Sequence, residues 1–288
     1  MNRIIVVGYD HTAPSERALA EAAREAVARG AALRIVHAYQ WPVAGQLSSR
    51  PDVSQRSCHE AAEILLEAAA GGIRAGHPDL VVETRAVAGY AAAALAEACR
   101  DAELLVVGNR GRGGFDGLMV GSVSLRALAG VVCPVIVVRG DERPARDAVL
   151  AAVDIAGPCD RVFDFAFTLA SLRGAALTVV HVWDEPWFLP FDESDSAFEN
   201  TAKVKEEWAI RLEAEVQPWR SKYSDVAVTE LIGAGPAGTE LVEASTQFDL
   251  LVVGAQRHGG NLHGMRIGPV AHTALHHADC PVAVIPLD

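Results

Sequence analysis

At 288 residues, half of them hydrophobic, the chain has length enough for about two domains with cores of their own. A formal net charge of −12 argues against a nucleic-acid backbone or an anionic membrane surface as the main partner. Cys58, Cys99, Cys133, Cys159 and Cys280 stand without CxxC spacing, and no apolar run reaches the roughly 20 residues of a membrane span, so disulfide framework, zinc knuckle and transmembrane helix are all excluded as readings.

The opening stretch, MNRIIVVGYD, is broken by charge and glycine before a signal-peptide core can form, so a reduced, cytoplasmic protein is expected. Arg3–Val7 reads as a strand and Ser15–Arg29 as an alanine-rich helix with charge on one side, stopped by Gly30. Leu33–Ala38 is the next strand, followed by a helical region around Ser54–Gly72. Val81–Val87, a helix over Ala91–Cys99, and the strand Leu104–Val107 come next. After the glycine-rich stretch GNRGRGGFDGLMVGSVS, Gly108–Ser124, a short helix precedes the last strand, Val135–Val138. The strands are near-continuous Val, Ile and Leu, which suits parallel strands buried on both faces. Strand and helix alternate throughout, which predicts an open, doubly wound α/β sheet with ligands at the carboxyl ends of its strands.

The unit is written twice. ALRIVHAYQWP from Ala32 matches ALTVVHVWDEP from Ala176 at an offset of 144, and ELLVVG from Glu103 matches DLLVVG from Asp249 at 146. Cys133-Pro134-Val135 matches Cys280-Pro281-Val282 at 147. A repeat of that length marks duplicated domains, expected over residues 1–140 and 146–288, joined by the charged, proline-bearing GDERPAR. The longest helix of the second copy is expected over Ser196–Trp219.

Glycines in an ordered loop cost roughly 0.5–1 kcal/mol each relative to alanine, so Gly108–Ser124 needs a reason. A strand, a glycine turn and a helix start together present outward backbone N–H groups, which makes an anion site. Lysine sharpens the reading: only Lys203, Lys205 and Lys222 occur, so neither a Walker A loop nor a kinase strand lysine can be written in the first copy. Phosphate there would be held by main-chain N–H groups, with Arg110 and Arg112 as counter-charges.

Gly108-x2-Gly111-x9-Gly121-Ser122 resembles the nucleotide loop of the universal stress protein family. VGYDHTAPSERAL, the strand end Ile35-Val36-His37 and CPVIVV from Cys133 resemble that family as well, and the likeness covers nearly the whole chain as two tandem domains. It implies two five-stranded, mostly parallel sheets flanked by helices, of the adenine nucleotide alpha hydrolase-like type. The resemblance also implies ATP as ligand. Asp10 would meet the ribose or a nucleotide-bound magnesium, and the Val36 backbone would meet the adenine edge, with Gly8 and Tyr9 lining that pocket. Gly108, Asn109 and Gly111 would wrap ribose and phosphates, and Gly121, Ser122, Val123 and Ser124 would cradle the terminal phosphates. His11-Thr12 follows Asp10 where the family often has Gly-Ser, which puts the turn geometry in question. No catalytic residue is assigned. The leading expectation is an ATP-binding regulator of stress responses, against a slow magnesium-dependent ATPase or phosphotransferase, or a nucleotide-free dimerisation module.

In the second copy Asp154, Val180, Gly254 and Gly268 keep the positions of Asp10, Val36, Gly108 and Gly121, while Arg257 replaces Gly111 and Pro269 replaces Ser122. Proline removes both a hydroxyl and an N–H donor, so weaker or absent nucleotide is expected there. Three other motifs carry less. GAGPAG at Gly233–Gly238 satisfies a dinucleotide pattern but lacks its acidic partner at the next strand's end. His272, His276 and His277, with His258 and His263 upstream, lack HExxH and an obvious third ligand, so a polar helix face is expected. His37 and His181 recur at strand ends and read as structural hydrogen bonds or pocket walls. Trp183, Trp187, Phe188 and Phe191 read as core packing or as the cover of a domain interface, core packing being the commoner case. The apolar last strands, CPVIVV and CPVAVI, want covering, so pairing between domains or chains, and a homodimer, are expected.

Overall fold

The computed structural model describes residues 3–40, 55–111, 119–140, 144–183, 195–257 and 265–287. It divides into two compact units, Met1–Arg139 with Arg257–Arg266, and Gly140–Gln256 with Ile267–Asp288.

The first unit runs β1 (Ile4–Gly8), α1 (Ala13–Arg29), β2 (Ala32–Tyr39), α2 (Gln55–Gly76), β3 (Val82–Ala88), α3 (Ala91–Ala98), β4 (Leu104–Gly108), α4 (Ser122–Leu128) and β5 (Val135–Val138). The sheet is parallel throughout, in the order β3-β2-β1-β4-β5. Side chains of β1, β4 and β5 are buried on both faces, which is why these strands read as unbroken apolar runs. Ile5, Leu33, Ile35, Leu104, Leu105 and Ile136 form the inner layer. Helix α1 starts where Ser15 Oγ accepts the Thr12 N–H at 3.0 Å and donates to the Thr12 carbonyl at 2.9 Å. It stops at Gly30, whose φ of 60° is a left-handed cap that only glycine adopts cheaply.

The second unit repeats the plan. It runs β6 (Ala148–Ala152), α5 (Asp160–Arg173), β7 (Ala176–Trp183), α6 (Asp195–Lys222), β8 (Val228–Ala234), α7 (Ala237–Ala244), a 3-10 turn over Ser245–Gln247, β9 (Leu250–Arg257), α8 (Pro269–His277) and β11 (Val282–Leu287); the two-residue strand β10 (Met265–Arg266), before α8 in the chain, groups with the first unit. Its parallel order is β8-β7-β6-β9-β11, the first unit's order copied strand for strand. Helix α6 continues through Pro218 to Lys222, three residues past the expected end. Packing explains its persistence: Trp219 and Tyr223 lie against Phe167 of α5 at 6.1 and 5.7 Å between ring centroids. Trp187, Phe188 and Phe191 lie outside the described residues.

Candidate functional site

In the first unit the strand order reverses between β1 and β4, the place where an open α/β sheet leaves a crevice at its carboxyl ends. A cavity of about 690 Å³ lies there. Ten of the eleven first-copy residues expected at the site line it: Gly8, Tyr9, Asp10, Val36, Gly108, Gly111, Gly121, Ser122, Val123 and Ser124. Arg110 lines it too, and Arg112 lies outside the described residues.

The β1–α1 turn is built around Asp10. Its Oδ1 accepts the Thr12 hydroxyl at 2.6 Å and the Thr12 N–H at 3.2 Å, while Ser15 Oγ takes the Asp10 N–H at 3.3 Å. His11, standing where the family often has glycine, adopts φ = 60°. The turn therefore holds a left-handed residue that carries a side chain. Its imidazole Nδ1 sits 3.1 Å from both Glu16 Oε1 and the Tyr9 hydroxyl, and that hydroxyl donates to Glu16. Burial, then the bond to Glu16, pushes the Tyr9 phenol far above its usual value, so it stays neutral.

On β2, alternate residues aim their peptide groups at opposite neighbours. Leu33 N–H donates to Val81 at 2.8 Å, and Gly89 N–H donates to the Tyr39 carbonyl at 2.9 Å, so odd-numbered residues face β3. Ala32 N–H donates to Arg3, and Tyr9 N–H donates to the Val36 carbonyl at 2.9 Å, so even-numbered residues face β1. Gly8↔Val36 is the last β1–β2 pair. The Val36 carbonyl is thus committed to the sheet. Ala38, two residues on and facing the same way, presents its N–H and carbonyl beyond the end of β1, at the cavity wall. The register, not the residue type, identifies Ala38, and no side-chain signal marks it in the sequence. His37 seals the corner: its Nδ1 meets the Tyr9 carbonyl at 2.7 Å.

The glycines of the β4–α4 loop answer to different neighbours. A Cβ at Gly108 would lie 2.8 Å from the Pro14 backbone, so Gly108 lets α1 close onto β4. One at Gly111 would lie 2.7 Å from Asp10 Oδ2, so Gly111 brings the loop against the carboxylate. One at Gly8 would lie 3.3 Å from Leu95 and Val107. Asn109 is absent from the cavity wall and closes the loop instead. Its carbonyl accepts the Gly121 N–H at 2.6 Å, and its Nδ2 donates to the Met119 carbonyl at 3.3 Å. Buried Ser124 donates its hydroxyl to the Gly108 carbonyl at 2.8 Å, which ties α4 to β4. Exposed Ser122 keeps its hydroxyl at the cavity, where α4 begins at its Gly121 cap.

Known proteins decide what this arrangement belongs to. The model of the universal stress protein family matches residues 1–139 and again 145–286. A universal stress protein of Mycolicibacterium smegmatis is 30% identical over 290 residues, covering 98% of this chain and 96% of that one. The chain belongs to the universal stress protein family. A universal stress protein of Mycobacterium tuberculosis is 29% identical over 293 residues, covering 97% of this chain and 95% of its own length. A crystal structure of a universal stress protein from Archaeoglobus fulgidus shares the fold, with a TM-score of 0.69 at 18% identity, covering 98% of each chain.

The second universal stress protein domain keeps the frame of the site and extends its strand past the matching point. Val153 N–H donates to the Val180 carbonyl at 3.0 Å, His181 Nδ1 meets the Val153 carbonyl at 3.0 Å, and Asp154 Oδ1 accepts the Ala156 N–H at 3.1 Å. Each reproduces a bond around Asp10, so His37 and His181 are structural anchors in both copies. After Gly254, however, the chain stays in β9, and Gly254, Ala255 and Gln256 pair with Ile285, Pro286 and Leu287 of β11. Ala255, Gln256 and Arg257, at the positions of Asn109, Arg110 and Gly111 that follow β4 in the first copy, are strand here. Gly268 caps α8 and Pro269 occupies its first turn.

The remaining motifs resolve into structure. GAGPAG runs from β8 into α7, but β8 is the edge strand of its sheet, away from the strand-order reversal, and Gly238 packs on Thr273. His272 and His276 stack at 4.3 Å, and no cluster of three or more metal-binding side chains occurs among the described residues. His258 and His263 lie outside them.

Proposed function

We propose that this universal stress protein binds one adenine nucleotide, ATP, in its first domain and acts through binding rather than turnover. The observation that carries the reading is the cavity itself. Its volume of about 690 Å³ falls within the ordinary range for small-molecule sites, and it brings an open peptide edge, an aspartate and a glycine loop to one place. Adenine presents an acceptor beside a donor on one edge, which matches the N–H and carbonyl of Ala38. The free N–H groups at the start of α4, with the Ser122 hydroxyl, suit phosphate oxygens. The fit of the group rests on Gly111 as well, where a side chain would run into Asp10. Asp10, through its second oxygen, would be the group facing a nucleotide-bound magnesium. Ser124 and Asp10 Oδ1 are held in loop-forming bonds, which supports a binding role for them over attack on a phosphate. Nucleotide would bias the protein's conformations or contacts by its differential affinity for them.

Denaturing the purified protein and identifying the released nucleotide tests this directly. ATP or ADP at about one per chain is expected, and Gly111→Phe with Ser122→Ala should remove it. Protein that releases no nucleotide and binds none at millimolar ATP would refute the reading; sustained phosphate release would favour a slow ATPase.

A further inference from the structure

We propose that Arg17, Arg110 and Arg139 form a binding site for a phosphoryl-class anion at the carboxyl ends of β4 and β5, adjoining the cavity through Arg110. The backbone places them together. Gly108 pairs with Val138, and Asn109 N–H donates to the Val138 carbonyl at 2.8 Å, so Arg110 and Arg139 leave neighbouring strand ends within two residues of that bond. Arg17 comes from α1, one turn along the same face from Pro14, whose backbone abuts Gly108. The second copy shows that an arginine at this position reaches the end of the matching strand. There Arg161, at the Arg17 position, donates through Nη1 to the carbonyl of Pro286, which stands at the Arg139 position, at 3.1 Å.

Charge and hydrogen bonding distinguish Arg17 and Arg110 from the buried Arg29 and Arg34. Arg29 holds Glu25 and Glu103, and Arg34 holds Glu83 and Asp101, so both of those buried guanidiniums are neutralised. Arg17 and Arg110 have no ion pair among the described residues, and the Nε of each is buried without an acceptor. Buried N–H groups of a charged side chain are costly to leave unbonded. Guanidiniums brought to neighbouring positions repel one another, and an anion between them would relieve that repulsion. The planar fork of arginine suits phosphate oxygens two at a time.

The second copy serves as an internal control. Positions 17, 110 and 139 become Arg161, Gln256 and Pro286, leaving one arginine of the three, already satisfied on a carbonyl. The copy that extends its strand past Gly254 also lacks the cluster. Two sources share the required chemistry: the distal phosphates of the cavity's own nucleotide, or a separate polyphosphate-like anion. Only the first source rests on the function proposed above.

Titration calorimetry of the full chain with inorganic tripolyphosphate, at fixed ionic strength, tests the site. Arg17→Gln with Arg139→Gln should weaken binding about tenfold or more, as loss of charge-assisted bonds does. Arg17→Lys with Arg139→Lys should recover part of it. Arg100→Gln, which makes the same unit change of charge at an exposed ion pair with Glu97, should leave it unaltered. If the glutamine pair melts early, the lysine pair and Arg110→Gln carry the comparison. With Gly111→Phe filling the cavity, retained tripolyphosphate binding assigns the site to a separate anion, and lost binding assigns it to the nucleotide's tail. Equal affinity in the wild type and the arginine variants overturns the proposal. Wild-type protein that binds tripolyphosphate but no ATP would overturn the function proposed above and leave this site standing.

Discussion

Gly108 and Gly111 stand three residues apart and exclude a side chain for different reasons, so they predict different phenotypes. Alanine at Gly108 meets the Pro14 backbone, which cannot move without displacing the start of α1. Overpacking against rigid backbone costs about 1–3 kcal/mol, and Gly108→Ala should lower the melting temperature accordingly. Alanine at Gly111 meets a carboxylate, which can swing aside. Gly111→Ala should therefore melt close to wild type while binding nucleotide about tenfold or more weakly, because the swing disturbs Asp10. His11 offers a third contrast. At φ = 60° a β-branched residue is strained, so His11→Val should be about 1–2 kcal/mol less stable than His11→Gly by thermal denaturation.

At the scale of elements, Arg34 shows how β2 is held to its surroundings. Buried in the sheet, it donates to Glu83 of β3 at 3.0 Å, to the Ala98 carbonyl ending α3 at 3.0 Å, and to Asp101 at 2.7 Å. The bond from Arg34 holds the Asp101 carboxyl below its ordinary 3.8. A carboxyl depressed by folding stabilises the fold above its unfolded value and loses that contribution as pH falls through the folded value. Asp101→Asn should thus be less stable than wild type at neutral pH, and the gap should close below about pH 4, read from melts across that range. The strands themselves were legible in the sequence, since burial on both faces writes them as apolar runs, and so was the order of strand and helix. Two things were not. Helix α6 outlasts its expected end because Trp219 and Tyr223 pack on Phe167, a tertiary contact with no local signature. Ala38 enters the cavity wall through strand register, where its peptide group matters and its methyl does not. Asn109 was readable as a loop residue, but its part in closing the loop depends on Met119 and Gly121 ten or more residues away.

For the molecule as a whole, duplication has kept the frame and relaxed the site. Both copies hold the histidine anchor and the aspartate turn, which keep the β1–α1 and β6–α5 corners folded whether or not anything binds. Past Gly108 the first copy leaves its strand, whereas in the second Ala255–Arg257 continue β9. The sequence pointed to Pro269 as the damaging change, and the strand pairing of Ala255 and Gln256 adds a second constraint. The N–H and carbonyl groups that face β11 are held in its ladder and are not free to turn toward a phosphate. Restoring Pro269→Ser alone should therefore leave nucleotide stoichiometry at about one per chain in equilibrium dialysis. Adding Arg257→Gly should do little more, because the ladder with Ile285, Pro286 and Leu287 still holds the strand. Two nucleotides per chain in the Pro269→Ser protein would mean that helix-start donors alone suffice, and that the loop glycines of the first copy serve packing against Pro14 and Asp10 rather than binding.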